Sequence, residues 1–363
     1  MTAKLNIGGV YKDMTDCKVN IGGVWKPVTD IFNNIGGVWK TAYTSILQKT
    51  ITIDSTKVDA TLTDFPLTVY LNSSNYDFTK SKADGTDISF TDIGGMALKF
   101  ERQEFSNVLG VAVFHVKVPS VSSSVNTSIY MKYGDLSAID AQDKVNVWDS
   151  NYKTVLHIGA SLLDSTSNGN NGTNFGTTVV DTALGKFRQF AYASLDRITL
   201  PIIKTLNQST YLMVYKKYSN GKNHVMFDSE ISGSYWPSVT LREESDKAIF
   251  RISYNTSLQY KVLSPSVMAI NTTYALCGKY DRTNLKLFID GTQVASVAGT
   301  AIPNDINNQL AIGSMQKSAP PYWQDTIDGE IGECRISVIA RSDAWVKAEL
   351  LGLKNDLATV TDA

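Results

Sequence analysis

The sequence has no long run of charge of one sign. Its 363 residues include 34 Lys and Arg against 35 Asp and Glu, and the formal net charge is −1 at pH 7. A protein that binds nucleic acid along its phosphates needs a basic face, and a polybasic membrane anchor needs a cluster of Lys and Arg. The composition therefore argues against nucleic-acid binding and against a polybasic membrane anchor.

Long apolar runs are also absent. No apolar stretch reaches the length of about 20 residues that a transmembrane helix needs. The first residues, Met-Thr-Ala-Lys-Leu-Asn, lack the charged and then apolar run of a secretory signal. We therefore expect a protein that is made in a cytoplasm and is not inserted into a membrane.

Cysteine is scarce, and Cys17, Cys277 and Cys334 are far apart in the sequence. No two of them have the close spacing of a zinc site. A Cys277–Cys334 disulfide is one interpretation, because both residues fall in predicted strands. We favour the interpretation that the protein is made in a reducing cytosol and that all three cysteines are reduced, inert thiols.

A short motif occurs three times near the N-terminus. Asn-Ile-Gly-Gly-Val, an aromatic residue and Lys occupy residues 6–12, 20–26 and 34–40. Each copy predicts a β-hairpin, since glycine adopts the positive φ angles of a tight two-residue turn without steric cost. A lone hairpin is marginally stable in water. The hairpins therefore need to stack on each other, on the next domain or on another chain.

The aromatic residue of each repeat is Tyr11, Trp25 or Trp39. We expect these rings to be exposed at equivalent positions, which favours contact with another chain. Packing against the protein's own domains is the alternative. We assign residues 1–48 to the repeats and expect them to attach the protein to sister subunits or to a larger particle.

From about residue 49, apolar and polar residues alternate as in strands that bury one face. Gly, Asn, Asp and Ser separate these segments at intervals of roughly ten residues, as in sandwiches and barrels. The pattern predicts an all-β protein of tandem antiparallel β-sandwiches. One helix is expected over residues 344–351, with Ser342 as its N-cap. The clearest strand faces are Leu67, Val69 and Leu71; Phe114, Val116 and Val118; Ile129, Met131 and Tyr133; and Leu285, Leu287 and Ile289.

Two groups of segments resemble known domain families. Asp-Phe-Pro-Leu (64–67), Asp-Gly-Thr-Asp-Ile-Ser-Phe-Thr-Asp (84–92), Phe-His-Val-Lys-Val-Pro (114–119), Ile-Tyr-Met-Lys-Tyr-Gly (129–134) and Val-Trp-Asp (147–149) are similar to a β-sandwich domain of uncharacterised function in microbial surface proteins. The segments 163–172, 280–291, 310–313, 329–337 and 340–345 resemble the concanavalin A-like or laminin-G-like jelly roll that often follows it. The resemblance implies a sandwich over residues 49–150 and a jelly roll over 151–363.

The chain lacks the usual motifs of catalytic sites. His115, His157 and His224 fall on different predicted strands, without a nucleophile elbow, phosphate loop or His-x-x-His motif beside them. Jelly rolls of this type include glycan hydrolases, which need two carboxylates facing one cleft. Asp328 and Glu330 have the spacing of one strand face, but glycines interrupt that strand. We expect no enzymatic activity, and we expect the histidines to be ordinary sandwich residues.

The loop of residues 164–172 is rich in Asp, Asn and Gly. Oxygen ligands of this kind suit Ca²⁺, and the jelly-roll resemblance implies a metal at this place in some relatives. The candidate ligands are Asp164, Asn168 and Asn170. Gly332 stands where the family usually has an Asp in the closing strand, which weakens the expectation. A turn held by side-chain hydrogen bonds is the alternative.

Two predicted loops carry adjacent aromatic residues. Tyr235 and Trp236 lie in Gly-Ser-Tyr-Trp-Pro, and Tyr322 and Trp323 lie in Pro-Pro-Tyr-Trp. Sugars stack their apolar faces on such rings, and aromatic residues also anchor protein interfaces. The alternative is that the rings fill the sandwich core. We predict that these four residues form a glycan-binding surface.

The Gly-Gly-Val-Trp-Lys repeats are similar to short repeats at the ends of tailed-phage virion proteins. A phage protein folds in the host cytoplasm and needs no signal peptide. The resemblance implies a homo-oligomeric virion protein of the tail or tail fibre. It would bind other virion proteins through its repeats and present its jelly roll to a host-surface glycan. A capsid decoration protein without a specific ligand, and a secreted bacterial adhesin or carbohydrate-binding module, are the alternatives.

Overall fold

A computed structural model confirms the predicted all-β fold with one helix. It describes residues 4–7, 10–13, 18–21, 23–27, 30–35, 38–44, 46–203, 208–229, 231–232, 238–253, 259–299, 309–317 and 322–363. Up to residue 44, the description is almost entirely of the backbone. Within these ranges, no helix is long and apolar enough to cross a membrane.

The three N-terminal repeats form three antiparallel hairpins. Their strands are β1 (Lys4–Ile7) and β2 (Val10–Asp13), β3 (Lys18–Ile21) and β4 (Val24–Pro27), and β5 (Asp30–Ile35) and β6 (Val38–Thr44). Gly23 has a φ of +82°, which glycine adopts readily. The predicted hairpins are thus confirmed. The side chains of Tyr11, Trp25 and Trp39 lie outside the described part of the chain, so their exposure stays a prediction.

The first sandwich consists of a three-stranded and a four-stranded antiparallel sheet. Their strand orders are β10-β11-β8 and β31-β7-β12-β9. The predicted faces of β8, β11 and β12 all lie in one buried core. The strands are β7 (Leu47–Ile53), β8 (Leu62–Asn72), β9 (Ser89–Asp92), β10 (Phe100–Ser106), β11 (Val111–Val121), β12 (Thr127–Tyr133) and, from the end of the chain, β31 (Ala358–Asp362).

The jelly roll packs an eight-stranded sheet on a seven-stranded one. The larger sheet has the strand order β15-β16-β30-β18-β24-β25-β26, and β13 also pairs with β30. The seven-stranded sheet has the order β14-β17-β27-β19-β21-β22-β23. A third, small sheet has the order β20-β28-β29. The strands are β13 (Tyr152–His157), β14 (Thr173–Phe175), β15 (Thr178–Thr182), β16 (Gly185–Phe190), β17 (Arg197–Ile202), β18 (Ser209–Lys217), β19 (Val225–Asp228), β20 (Ile231–Ser232), β21 (Ser238–Glu244), β22 (Lys247–Ser253), β23 (Gln259–Leu263), β24 (Thr273–Tyr280), β25 (Asn284–Ile289), β26 (Thr292–Ala298), β27 (Gln309–Ile312), β28 (Met315–Lys317), β29 (Tyr322–Gln324) and β30 (Gly329–Ser337).

The two sandwiches meet at β13. Tyr152 and Val155 pack into the core of the first sandwich, whereas Leu156 and Ile158, at and just beyond the end of the strand, pack into the core of the jelly roll. The backbone of β13 belongs to the jelly roll, because it pairs with β30. The domain boundary that the sequence placed near residues 148–155 stays a prediction.

The only α-helix of the described residues, α1 (Asp343–Leu353), lies between the two sandwiches. Its predicted N-cap is confirmed, since the Ser342 hydroxyl accepts a hydrogen bond from the Trp345 N–H at 3.1 Å. Trp345 and Ala348 enter the first core. Val346 and Leu350 pack on the outer face of the larger jelly-roll sheet. The helix therefore buries side chains on two opposite faces.

The chain returns to the first sandwich after α1. Leu357 lies in the first core, and β31 pairs with β7 along its whole length. The division of the chain at residue 150 stays a prediction, but the last residues complete a sheet of the first sandwich.

The cysteines do not form the disulfide that the sequence allowed. Cys277 and Cys334 are both buried free thiols. Cys277 is directly opposite Leu212 of β18 and Cys334 opposite Met213, so they face opposite sides of the sheet. Two strand spacings, about 9–10 Å, also separate them, which is too far for a disulfide. Cys17 lies outside the described residues.

We expect removal of residues 356–363 to destabilise the protein. The truncation deletes β31 and Leu357, whose side chain is 1% exposed. Loss of a buried Leu side chain costs about 2–5 kcal/mol, so the melting temperature should fall by about 5–10 °C or more in calorimetry. Removal of Ala363 alone is the control, since it lies beyond the strand. An unchanged melting temperature after the larger truncation would show that the first sandwich does not depend on the returning strand.

Candidate ligand-binding sites

Tyr322 and Trp323 do not lie in a loop, as predicted, but in strand β29 of the small sheet with β20 and β28. Ser232 pairs with Lys317, which pairs on its other side with Tyr322. Tyr235 and Trp236 lie outside the described residues, as does the side chain of Tyr322. Ser232 is the last described residue before Tyr235 and Trp236. In the small sheet it lies two strands away from Tyr322.

Trp323 is half-buried and contacts an arginine. The guanidinium carbon of Arg197 lies 4.4 Å from the centroid of the Trp323 ring and 4.3 Å from that of the Phe175 ring. Phe175 is 40% exposed and lies directly opposite Arg197 in the pairing of β14 with β17. Cation–π contacts of this kind stabilise by about 0.5–2 kcal/mol. We call Phe175, Arg197 and Trp323 the stacking surface. The sequence indicated only Trp323, because the local sequence pattern does not show which strands pair.

The predicted calcium ligands lie together, but they hold the loop by hydrogen bonds. Asp164 Oδ1 accepts from the N–H groups of Val155 and Thr166, both at 3.0 Å, and Oδ2 accepts from the Thr166 hydroxyl and the Asn170 N–H. The side-chain amides of Asn168 and Asn170 donate to backbone carbonyls of β13 at 3.0 and 2.8 Å. Each Asp164 oxygen thus already accepts two bonds. The arrangement fits a hydrogen-bonded turn better than a calcium ion, and calcium binding here stays a prediction.

Gly332 has a packing reason in this chain. A Cβ at this position would lie 2.3 Å from the Phe187 ring, so an Asp here would require Phe187 to move. The pairing of β18 with β30 shifts register at this glycine, as at a β-bulge. After the shift, Cys334 faces the jelly-roll core, and Glu333 and Arg335 therefore face the other way, towards the first sandwich.

Asp328 and Glu330, the two acids with the spacing of one strand face, are each paired with a different lysine. Glu330 is ion-paired to Lys216 at 2.8 Å and bonded to the Tyr218 hydroxyl. Asp328 lies 4.0 Å from Lys222. Each carboxylate thus has a lysine of its own.

Charged side chains are buried where the sandwiches meet. Arg335 donates to Glu333 at 2.6 Å and to Glu349 of α1 at 2.8 Å. His157 Nδ1 bonds Glu333 at 2.8 Å, and its Nε2 lies 3.3 Å from a Glu101 oxygen. We call Glu101, His157, Glu333, Arg335 and Glu349 the junction cluster. Removing one partner of such a buried ion pair costs about 3–5 kcal/mol.

Aromatic rings of the first sandwich enclose the junction cluster. The His115 ring stacks on His157 with centroids 4.4 Å apart and an interplanar angle of 5°, and the Trp148 ring lies 4.8 Å from the Arg335 guanidinium. His115, His157 and Glu333 are close enough together to share a metal ion. A cation there would meet the Arg335 guanidinium, which lies 3.4 Å from His115 Nδ1, so the residues do not suit a metal.

The two stacked histidines have opposite pKa shifts. Burial alone would lower the pKa of His157, but the Glu333 and Glu101 carboxylates outweigh it and raise that pKa to about 9. Burial, with the neighbouring charges of His157 and Arg335, holds the pKa of His115 well below its usual range. At neutral pH the pair therefore carries one positive charge, on His157. From the sequence, the histidines were expected on different strands as ordinary sandwich residues, and nothing indicated the contact between His115 and His157. His224 lies apart and bonds the backbone of Ser219 and Asp328.

A cleft of about 470 Å³ opens beside the junction cluster. Residues 101–106 of β10 line the side formed by the first sandwich, together with Lys144. His157, residues 159–165 in part, and Lys186 of β16 line the side formed by the jelly roll. We call it the junction cleft. It exists only where both sandwiches are in place.

Residues 191–347 match the family model of the concanavalin A-like lectin/glucanases superfamily, and residues 84–174 match that of a domain of unknown function, DUF2341. Both kinds of domain are therefore present in the chain. No curated protein matches the sequence.

Several solved structures are similar to parts of the chain. They are domain 4 of AbnA, a GH43 extracellular arabinanase from Geobacillus stearothermophilus, in complex with arabinotriose (18% identity, 55% of this chain and 98% of that chain, TM-score 0.47); the botulinum neurotoxin serotype G binding domain (13%, 55% and 50%, 0.44); and the CBM40 of the Ruminococcus gnavus IT-sialidase bound to alpha2,3 sialyllactose (16%, 40% and 84%, 0.36). These are likenesses of fold alone.

Stability should fall as the pH rises from about 6.5 to above 9. The pKa of His157 is raised on folding from 6.5 to about 9, so its stabilisation is fully present below pH 6.5 and is lost as the pH passes through 9. A difference of this size corresponds to about 3 kcal/mol. Urea unfolding at several pH values would measure it.

The variant His157→Gln should be less stable at pH 6.5 and should lack this alkaline slope. His224→Gln is the control and should keep the slope, because His224 lies outside the junction cluster. A wild-type stability that stays flat between pH 6.5 and about 9.5 would contradict a charged His157.

Proposed function

We propose that the protein is a non-catalytic attachment protein whose jelly roll binds a glycan at the stacking surface. The observation that carries the proposal is the Arg197 guanidinium in contact with two partly exposed rings. Rings accept the apolar face of a sugar. A guanidinium has five N–H donors, and the bond from Nη1 to the Leu195 carbonyl uses one of them.

The other aromatic residues that the sequence predicted as glycan contacts belong to, or follow in the sequence, strands of the small sheet that contains Trp323. Trp323 is the predicted contact residue whose side chain the structure describes, and Tyr322 precedes it in β29. Tyr235 and Trp236 follow β20 of the same small sheet. In the proposal they extend the stacking surface.

The ion pairs of the acidic residues support glycan binding rather than glycan hydrolysis. A retaining or inverting glycosidase needs one carboxylate as acid and one as base or nucleophile. Here Glu330 and Asp328 pair with separate lysines, and Glu333 is tied to Arg335 and His157. We therefore propose no catalytic role for them.

For the N-terminal repeats, we propose attachment to a tailed-phage virion, at its tail or tail fibre, with assembly into a homo-oligomer after synthesis in the host cytoplasm. Among the described strands, each hairpin is a two-stranded sheet of its own. Such a sheet is marginal in isolation, so contact with other chains would stabilise it. Capsid decoration and a bacterial adhesin are the alternatives.

Trp323→Ala should weaken glycan binding by roughly 5–30-fold, because one stacking contact is worth about 1–2 kcal/mol. The ligand is first found on a glycan array with the full chain, and the affinity is then measured by calorimetry. Tyr130→Ala is the matched control, since Tyr130 is a half-buried ring of β12 in the first sandwich. The affinity of Tyr130→Ala for the glycan should be unchanged. If Trp323→Ala instead keeps full affinity, the ring is not a contact residue.

Deletion of residues 1–46 should leave a folded, soluble fragment that no longer assembles. The fragment keeps β7 and both cores, and it loses the three hairpins. Light scattering would measure its oligomeric state, and incorporation into phage particles would test the virion partner. A fragment that still assembles, or that unfolds, would contradict a separate attachment role for the repeats.

A further inference from the structure

The junction cleft has the size and position of a ligand site. Its volume of about 470 Å³ lies within the ~300–1,000 Å³ typical of small-molecule pockets, which often occur between domains. One side belongs to the first sandwich and the other to the jelly roll. The described residues of the stacking surface, Phe175, Arg197 and Trp323, do not line it.

The floor of the cleft is held rigid. One Glu101 oxygen accepts from the Ser165 hydroxyl at 2.6 Å, and the other accepts from the Trp148 indole N–H at 2.9 Å and lies 3.3 Å from His157. Glu101 is 4% exposed. Because these groups are already fixed, a ligand would bind without first ordering them.

Glu104 has an acceptor that the described residues leave without a hydrogen bond. Its Oε2 accepts from the Lys186 N–H at 2.7 Å. Its Oε1 has no hydrogen-bond donor among the described residues, although the side chain is only 9% exposed. The nearest cation is the Lys186 ammonium at 3.4 Å. A buried acceptor without a donor is uncommon and costs free energy, so a hydroxyl donor beside it would be stabilising.

Most charges of the cleft are already balanced. Glu101 faces His157, Glu104 faces Lys186, and Arg102 forms an ion pair with Asp140 at 2.7 Å. An ionic ligand would have to compete with these pairs. Uncharged groups that both donate and accept hydrogen bonds fit better, and hydroxyl groups do both.

Lys144 supplies the remaining recognition chemistry. Lys144 lines the cleft, and no ion pair to it occurs within the described ranges, so its ammonium is able to donate to a hydroxyl. The Phe105 ring, by contrast, packs on Tyr76 and Phe78 in the core of the first sandwich, on the face of β10 opposite to Glu104. Hydroxyl groups that can donate to Glu104 and accept from Lys144 occur together on a sugar.

We infer that the junction cleft is a second binding site, separate from the stacking surface, and that it takes a neutral saccharide unit. Glu104 Oε1 accepts from a hydroxyl of the sugar, and Lys144 donates to another. The inference does not depend on the stacking surface, because it uses other residues on other elements.

The test uses the full chain and a panel of D-glucose, D-galactose, cellobiose and lactose, with D-galacturonate as the charged comparison. Saturation-transfer NMR and calorimetry measure binding. Ala160→Trp blocks the cleft, since Ala160 lines it, is exposed and has no side-chain hydrogen bond to lose. Ala298→Trp is the matched control at an exposed position of β26 outside the cleft. Circular dichroism checks that both variants fold.

We expect at least one neutral sugar to bind, with affinity lowered about tenfold or more by Ala160→Trp and unchanged by Ala298→Trp. Lys144→Ala, which removes no ion pair, should weaken binding several-fold. Trp323→Ala should leave binding at the cleft intact, so failure of the stacking surface and failure of the cleft are distinguishable. No binding of any panel sugar, binding that survives Ala160→Trp in a folded protein, or a clear preference for galacturonate would overturn the inference.

Discussion

The rest of the structure depends on the neutralisation of one buried charge, that of Arg335. Its side chain is 1% exposed, and a buried ion without partners costs several kcal/mol. The partners come from different parts of the chain: Glu333 from β30, Glu349 from α1, and the Trp148 ring from the first sandwich. The guanidinium is therefore satisfied only when the jelly roll, the helix and the first sandwich are all in place. Two domains that match separate families are thereby coupled in stability.

The same constraint accounts for the course of the C-terminal segment. A surface helix usually buries one stripe and exposes the other, but α1 buries Trp345 on one side and Val346 and Leu350 on another. Its Glu349 carboxylate also accepts from the Tyr152 hydroxyl at 2.7 Å, at the strand where the sandwiches meet. The strand after the helix then completes a sheet that began with β7. The two ends of the sandwich region are thus held together by backbone hydrogen bonds.

The sequence predicted what depends on local pattern. The alternating faces of β8 and β11, the three hairpins and the Ser342 cap are set by residues close in the chain, and all are confirmed. The junction cluster could not be predicted, because Glu333 and Arg335 alternate with core residues and so look like the solvent face of a strand. Only the docked first sandwich makes that face buried. The contact of Arg197 with Phe175 was missed for a related reason, since it depends on which strands are neighbours.

A rigid junction has a consequence for the proposed attachment function. A single sugar contact is weak, so attachment of a particle depends on many copies that bind at once. Multivalent binding requires that the sites reach their ligands together, and free rotation between domains would spread them over many orientations. Here the buried charges and α1 fix the jelly roll relative to the first sandwich. The last hairpin ends at Thr44 and the first sandwich begins at Leu47, so little chain separates the repeats from the rigid unit. In an oligomer held by its repeats, the orientation of the binding surfaces would therefore follow that of the attachment site.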